Sequence, residues 1–149
     1  MEIPKFLLDP NRKLLTVQPF TNVIDFTALA QGASADGNFT TQSDSDFVIL
    51  KTTYYAHTVT TGAPSDSGRL LPWVEVTLQD SGSGRRLMNA GVMLTSLFGT
   101  GELPYIWPVP YKINGNSTFT ATLENVTTGA GESYVIRLSF HGVKLLYGM

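Results

Sequence analysis

From residue 72 to 79 apolar and polar positions alternate. Val74, Val76 and Leu78 fall on one side and Trp73, Glu75, Thr77 and Gln79 on the other, the period-two signature of a half-buried strand. The same alternation recurs near the end of the chain. Phe119, Ala121 and Leu123 interleave with Thr118, Thr120, Thr122 and Glu124, and Tyr134, Ile136, Leu138 and Phe140 interleave with Val135, Arg137, Ser139 and His141. This last run is expected to continue past Gly142 through Val143 to Tyr147. The longest β-rich stretch spans 46–60, with Phe47-Val48-Ile49-Leu50, Tyr54-Tyr55 and then His57 to Thr60. Residues 21–30, with Val23, Ile24, Phe26 and Ala28, predict a further strand. Helical spacing shows only within 86–98, through Leu94, Leu97 and Phe98, and is good for a turn or two before Gly99.

Punctuation between these runs is sharp. Asp36-Gly37 predicts a turn within the polar segment Gly32–Asp44, with Phe39-Thr40-Thr41 as a possible short strand. Gly62 to Gly68 reads as a loop around Pro64, and Asp80 to Gly84 as a flexible turn. Asn114-Gly115 is the strongest hairpin signal, and Gly129-Ala130-Gly131 is a turn into the last strand. Pro104, Pro108 and Pro110 exclude a central strand over 103–113 and leave an edge strand or an ordered aromatic loop. At the start, Pro4, Pro10 and Pro19 favour an extended N-terminal arm over 1–20. Its apolar residues Phe6, Leu7, Leu8, Leu14 and Leu15 need a surface to lie on, either that of their own domain or that of a neighbouring subunit.

Seven or eight strands with almost no helix predict an all-β fold: a two-sheet antiparallel β-sandwich, jelly-roll-like, spanning 21–149. An immunoglobulin-like sandwich is the alternative, but its Cys…Trp…Cys pattern is impossible in a chain without cysteine. With 149 residues the chain can bury a core without staples.

Composition narrows the function. Charged residues are 15% of the chain, against roughly 25% in an average soluble domain. A charge-poor, hydroxyl-rich surface suits strands and also suits contact with neighbours. The net charge of −2 lacks the basic excess of a nucleic-acid binder. No apolar run approaches the ~20 residues of a membrane span. Phe6-Leu7-Leu8 is cut short by Asp9-Pro10, so no export signal is expected either.

Chemistry is hard to find. His57 and His141 each fall inside a strand pattern, and no nucleophile elbow accompanies them. Asp44-Ser45-Asp46 and Asp36-Gly37-Asn38 lack the order and closing Glu of a calcium loop and read as capped turns. Gly82-Ser83-Gly84-Arg85-Arg86 lacks the following helix of a phosphate loop. It reads as a hairpin turn whose arginines, Arg85 and Arg86, are free to meet a partner's carboxylates. The Asn-x-Ser/Thr triplets at Asn38, Asn116 and Asn125 are expected by chance in a Thr-rich chain. Tyr105, Trp107, Tyr111 and Trp73 suit a core, an intersubunit contact or a sugar site. No enzyme activity, cofactor or metal is expected.

Four stretches carry a resemblance: Asp46-Phe47-Val48-Ile49-Leu50-Lys51, Val76 through Arg85, Leu97-Phe98-Gly99-Thr100-Gly101 with Pro104, and Leu138 through Leu145. Together they resemble the capsid cement, or decoration, proteins of tailed bacteriophages, over roughly 20–147. The resemblance implies a jelly-roll-like virion protein on the outer capsid surface, binding as a dimer or trimer and tying neighbouring major capsid protein subunits together. It implies no cofactor and no fixed set of functional residues. The partner-binding candidates come from the residue patterns themselves: Phe6, Leu7, Leu8, Leu14, Leu15, Trp73, Arg85, Arg86, Tyr105, Trp107 and Tyr111. The alternative is a receptor- or carbohydrate-binding sandwich of a phage fibre or tail.

Overall fold

A computed structural model describes residues 3–60, 63–64, 71–127 and 133–148. A 3-10 turn at Lys5–Leu7 precedes β1 (Lys13–Leu29), β2 (Ser34–Thr40), β3 (Ser45–Thr60) and the two-residue β4 (Ala63–Pro64). There follow β5 (Val74–Asp80), β6 (Arg85–Arg86), β7 (Val92–Met93), the one-turn helix α1 (Leu94–Leu97), β8 (Tyr105–Ile113), β9 (Thr118–Asn125) and β10 (Tyr134–Gly148). The first sheet runs β1-β10-β3, with β4 and β8 sharing the far side of β3. The second runs β2-β9-β5, with β6 and β7 sharing the far side of β5. Every ladder between these strands is antiparallel. The order β1-β10-β3-β8 facing β2-β9-β5-β7 is that of a jelly roll, in which sheet neighbours are remote in sequence.

The period-two runs set the core. Val74, Val76 and Leu78 of β5, Phe119, Ala121 and Leu123 of β9, and Ile136, Leu138 and Phe140 of β10 are all buried between the sheets, as their alternation predicts. Phe39 of β2 joins the layers. Its ring lies 5.4 Å from Phe119 on its own side and 5.9 and 5.3 Å from Phe47 and Phe140 on the other.

Two local signals resolve differently in three dimensions. Asp36-Gly37 is not a turn but the middle of β2. Ala33, Ala35 and Gly37 lie on the strand's inward side, and a Cβ on Gly37 would overlap Ile24 Cγ2 and crowd the Phe26 ring. The turn comes earlier, where Ala33 N bonds Ala30 O at 2.9 Å and Gly32 holds φ +73°. Asn114-Gly115 does reverse the chain, yet it joins β8 of one sheet to β9 of the other and closes no hairpin. Gly115 N donates to Asp46 Oδ1 (2.8 Å), and Asn116 takes φ +59°. The Gly129-Ala130-Gly131 turn and most of the Gly62–Gly68 loop lie outside the described residues.

The expected N-terminal arm of 1–20 has no boundary at residue 20. Residues 13–20 form the first half of β1, paired with β10 from Lys13↔Gly148 to Phe20↔Gly142. Pro19 is accommodated because β1 is an edge strand. The proline-rich 103–113 segment likewise forms the edge strand β8. The helical spacing over 86–98 yields α1 alone, a single turn.

Candidate interaction surface

The apolar run Phe47-Val48-Ile49-Leu50 has no alternation because the first sheet is covered on both faces at this end. Phe47 and Ile49 enter the central core, while Val48 points outward to a second cluster with Leu7, Val143, Leu145 and Tyr147. A bulge opposite His141/Gly142 inserts one extra residue in β3, so its inward set continues as Thr52, Tyr54 and Ala56. Gly142 is required there, since a Cβ would overlap the Val48 carbonyl oxygen.

The lid of the second cluster is the segment before β1. Its turn is closed by Leu7 N to Pro4 O (3.0 Å) and Leu8 N to Lys5 O (3.1 Å), which drives Leu7 inward to 4% exposure. Asp9 N donates to Tyr147 Oη at 3.1 Å, and the Arg12 guanidinium stands 4.7 Å over the Tyr147 ring. Burial raises the Tyr147 pKa above 10. Residues 3–12 therefore lie on their own domain. Leu8 and Leu14 are half-buried at the rim, and Phe6 and Leu15 face outward.

Next to this lid runs β8. Its register against β3 jumps from Ile49↔Tyr111 to Lys51↔Ile106, so Trp107 to Pro110 bow away from the ladder. Two of the aromatic candidates in it are engaged within the domain. Trp107 Nε1 donates to Thr52 Oγ1 (3.2 Å), and Tyr111 Oη donates to Asp80 Oδ2 (2.8 Å). Tyr105 is half-buried opposite Thr52. The outward side chains of β8 are instead Ile106 and Val109, 63% and 61% exposed, with Leu103 exposed just before them. Periodicity did not single them out, because three prolines interrupt it.

The lid and β8 meet across a cleft of about 190 Å³ lined by Ile3, Pro4, Leu7, Val48, Leu50, Pro110 and Val143. The structure thus brings together two of the sequence candidates, the N-terminal segment and the Tyr105–Tyr111 stretch. Trp73, Arg85 and Arg86 are exposed but belong to the second sheet. Nine large hydrophobic side chains are exposed among the described residues. Phe6, Leu15, Val23, Tyr55, Leu103, Ile106 and Val109 lie on the first sheet or the segments entering it, and only Leu71 and Trp73 lead into the second. The outer face of the second sheet is largely hydroxyl-bearing, with Thr77 beside Thr122 and Thr40 bonded to Thr118 Oγ1 at 3.0 Å.

The titratable candidates have structural partners. His141 sits between Thr21 Oγ1 (3.2 Å) and Thr53 Oγ1 (2.8 Å) on the outer face of the first sheet, its pKa lowered by burial and then by the Lys51 charge. Asp46 accepts from Gly115 N and pairs with Lys112 at 3.9 Å, and Asp36 accepts from Thr122 Oγ1 at 2.6 Å. Among the described residues no three His, Asp or Glu gather as a metal site would require. No family model matches this chain, and no curated protein matches it.

Proposed function

We propose that the protein is a structural docking module of the capsid-cement kind, seated on the outside of a phage shell and tying neighbouring major capsid subunits together. One observation carries the docking part: exposed apolar side chains concentrate on the first sheet, its β8 edge and the segments entering it, while the second sheet turns hydroxyls outward. Partner contacts favour such apolar, charge-poor patches. The contact is made by side chains, because Pro108 and Pro110 remove backbone donors from β8 and block strand addition along it. The capsid part rests on the sequence resemblance, and lattice avidity is its physical rationale: many weak contacts add up when each second one is intramolecular.

The test is co-sedimentation with capsid shells. Wild type is expected to pellet with the shells and raise their melting temperature, while Ile106→Asp/Val109→Asp stays in the supernatant with its own melting temperature unchanged. A wild-type protein that ignores shells overturns the capsid part. A double variant that binds as wild type does overturns the assignment of the surface.

A further inference from the structure

The outer face of the first sheet carries a second feature at the end opposite the lid, where β1, β10 and β3 enclose a depression of about 580 Å³. Asp25 and Thr27 come from β1, Val135 and Arg137 from β10, and Tyr55 and His57 from β3. The register sets Asp25, Arg137 and Tyr55 side by side in one row across the three strands. We propose that this depression binds a neutral saccharide.

Four observations lead there. Tyr55 is 48% exposed, and a half-exposed aromatic ring is the kind of surface on which the apolar C–H face of a sugar stacks. Its orientation is set by His57, a buried ring packed edge-on at 5.4 Å and 72°. Beside the ring, Arg137 Nε and Nη2 donate to Asp25 Oδ1 and Oδ2 at 2.6 and 3.3 Å, a two-pronged pair fixed on a rigid sheet. Both side chains remain about half exposed, so the pair presents donors and acceptors together, the complement of adjacent sugar hydroxyls. A surface ion pair of this kind adds little to stability, so its geometry is better explained by what it presents.

The charge balance selects the ligand class. The acid and the base of the lining neutralise each other, which leaves no uncompensated charge for a phosphate, a carboxylate or a cation. The volume falls in the range of small-molecule sites and fits one or two sugar rings. At the rim β1 gains a residue between Phe26 and Leu29, and Ala28 takes φ +104°, a conformation a non-glycine residue rarely adopts. Thr27 continues the outward side of Asp25 onto the wall of the depression, and the extra residue at Ala28 returns Leu29 to the core, so the bulge ends the wall there.

The experiment is an amide-detected NMR titration of the full chain with the methyl glycosides of glucose, galactose and N-acetylglucosamine, with glucuronate and inorganic phosphate run in parallel. At least one neutral glycoside is expected to shift the amides around Asp25, Thr27, Tyr55, His57 and Arg137 in a saturable way. Tyr55→Ala and Asp25→Asn should each weaken that binding at least tenfold, with amide spectra showing an intact fold, and Trp73→Ala should leave it unchanged. The proposal is overturned by the absence of saturable shifts with all three glycosides, by a preference for glucuronate or phosphate, or by binding that survives both substitutions. Capsid binding plays no part in the readout, so the docking function stands or falls separately.

Discussion

The hydroxyl of Tyr111 donates to Asp80 Oδ2 at 2.8 Å, and this one bond ties β8 of the first sheet to β5 of the second. Asp80 is 2% exposed and also accepts from Gly82 N (2.9 Å) and Ser83 Oγ (3.2 Å), so the carboxylate is held by three donors. Tyr111→Phe removes one of them without changing shape. It is expected to lower unfolding free energy by about 2 kcal/mol, typical of a hydrogen bond to a charged group, in a denaturant titration with unchanged m-value. Asp80→Ala should cost more, since it strands all three donors.

Gly142 sits opposite the bulge in β3, and an alanine Cβ would collide with the Val48 carbonyl. The obstacle is β3 backbone, which has no rotamer to escape into. Gly142→Ala is expected to destabilise by about 3 kcal/mol, whereas Gly101→Ala, with open space around it, stays within about 0.5 kcal/mol. Thermal melts of the two variants side by side make the comparison.

Leu7 and Phe6 are adjacent in sequence and opposite in role. Leu7→Ala leaves a hole among Val48, Val143, Leu145 and Tyr147 and should cost about 3 kcal/mol. Limited proteolysis should then cut within 1–12 well before the rest of the domain. Phe6→Ala should leave stability unchanged and reduce binding to shells, because that ring faces outward.

Two pH effects follow from burial. Tyr54, Tyr111 and Tyr147 all have pKa values raised above 10, chiefly by desolvation. Above pH 10 the unfolded chain releases these protons more readily than the folded one, so stability is full below pH 10 and declines as pH rises past it. His141 is shifted the other way, below 6.5, by burial and by Lys51. As pH falls through 6.5 the unfolded chain takes up a proton that the folded chain resists, and stability declines on the acid side. Denaturation midpoints across pH should show both limbs, and Lys51→Met should move the NMR titration of His141 back toward 6.5.

Much of the fold was legible one strand at a time. The inward sets of β5, β9 and β10 follow from period-two alternation, which a strand at the boundary of core and solvent must show. The edge position of β8 follows from its prolines. The N-terminal segment and the Tyr105–Tyr111 stretch, both expected to meet a partner, line the two sides of one cleft. Within them the roles are redistributed: Leu7, Trp107 and Tyr111 serve the domain itself, and Ile106 and Val109 face outward.

What the chain determined by itself was whatever depends on neighbours in sequence: strand character, the alternation of faces, the reversals at 80–84 and Asn114-Gly115, and the absence of disulfides. What the tertiary structure decided depends on which strand lies beside which. Gly37 carries the turn signal of Asp36-Gly37 yet lies mid-strand, because Ile24 and Phe26 occupy the space of its missing side chain. Asn114-Gly115 turns the chain as its composition requires, but whether the next strand pairs or crosses to the other sheet is set by core packing. Tyr55 and Arg137 lie 30 and 112 positions after Asp25, and the three form one row only through the jelly-roll register. Sequence patterns report local periodicity. Long-range registry comes from burying two apolar faces against each other, and no short stretch of the chain contains that information.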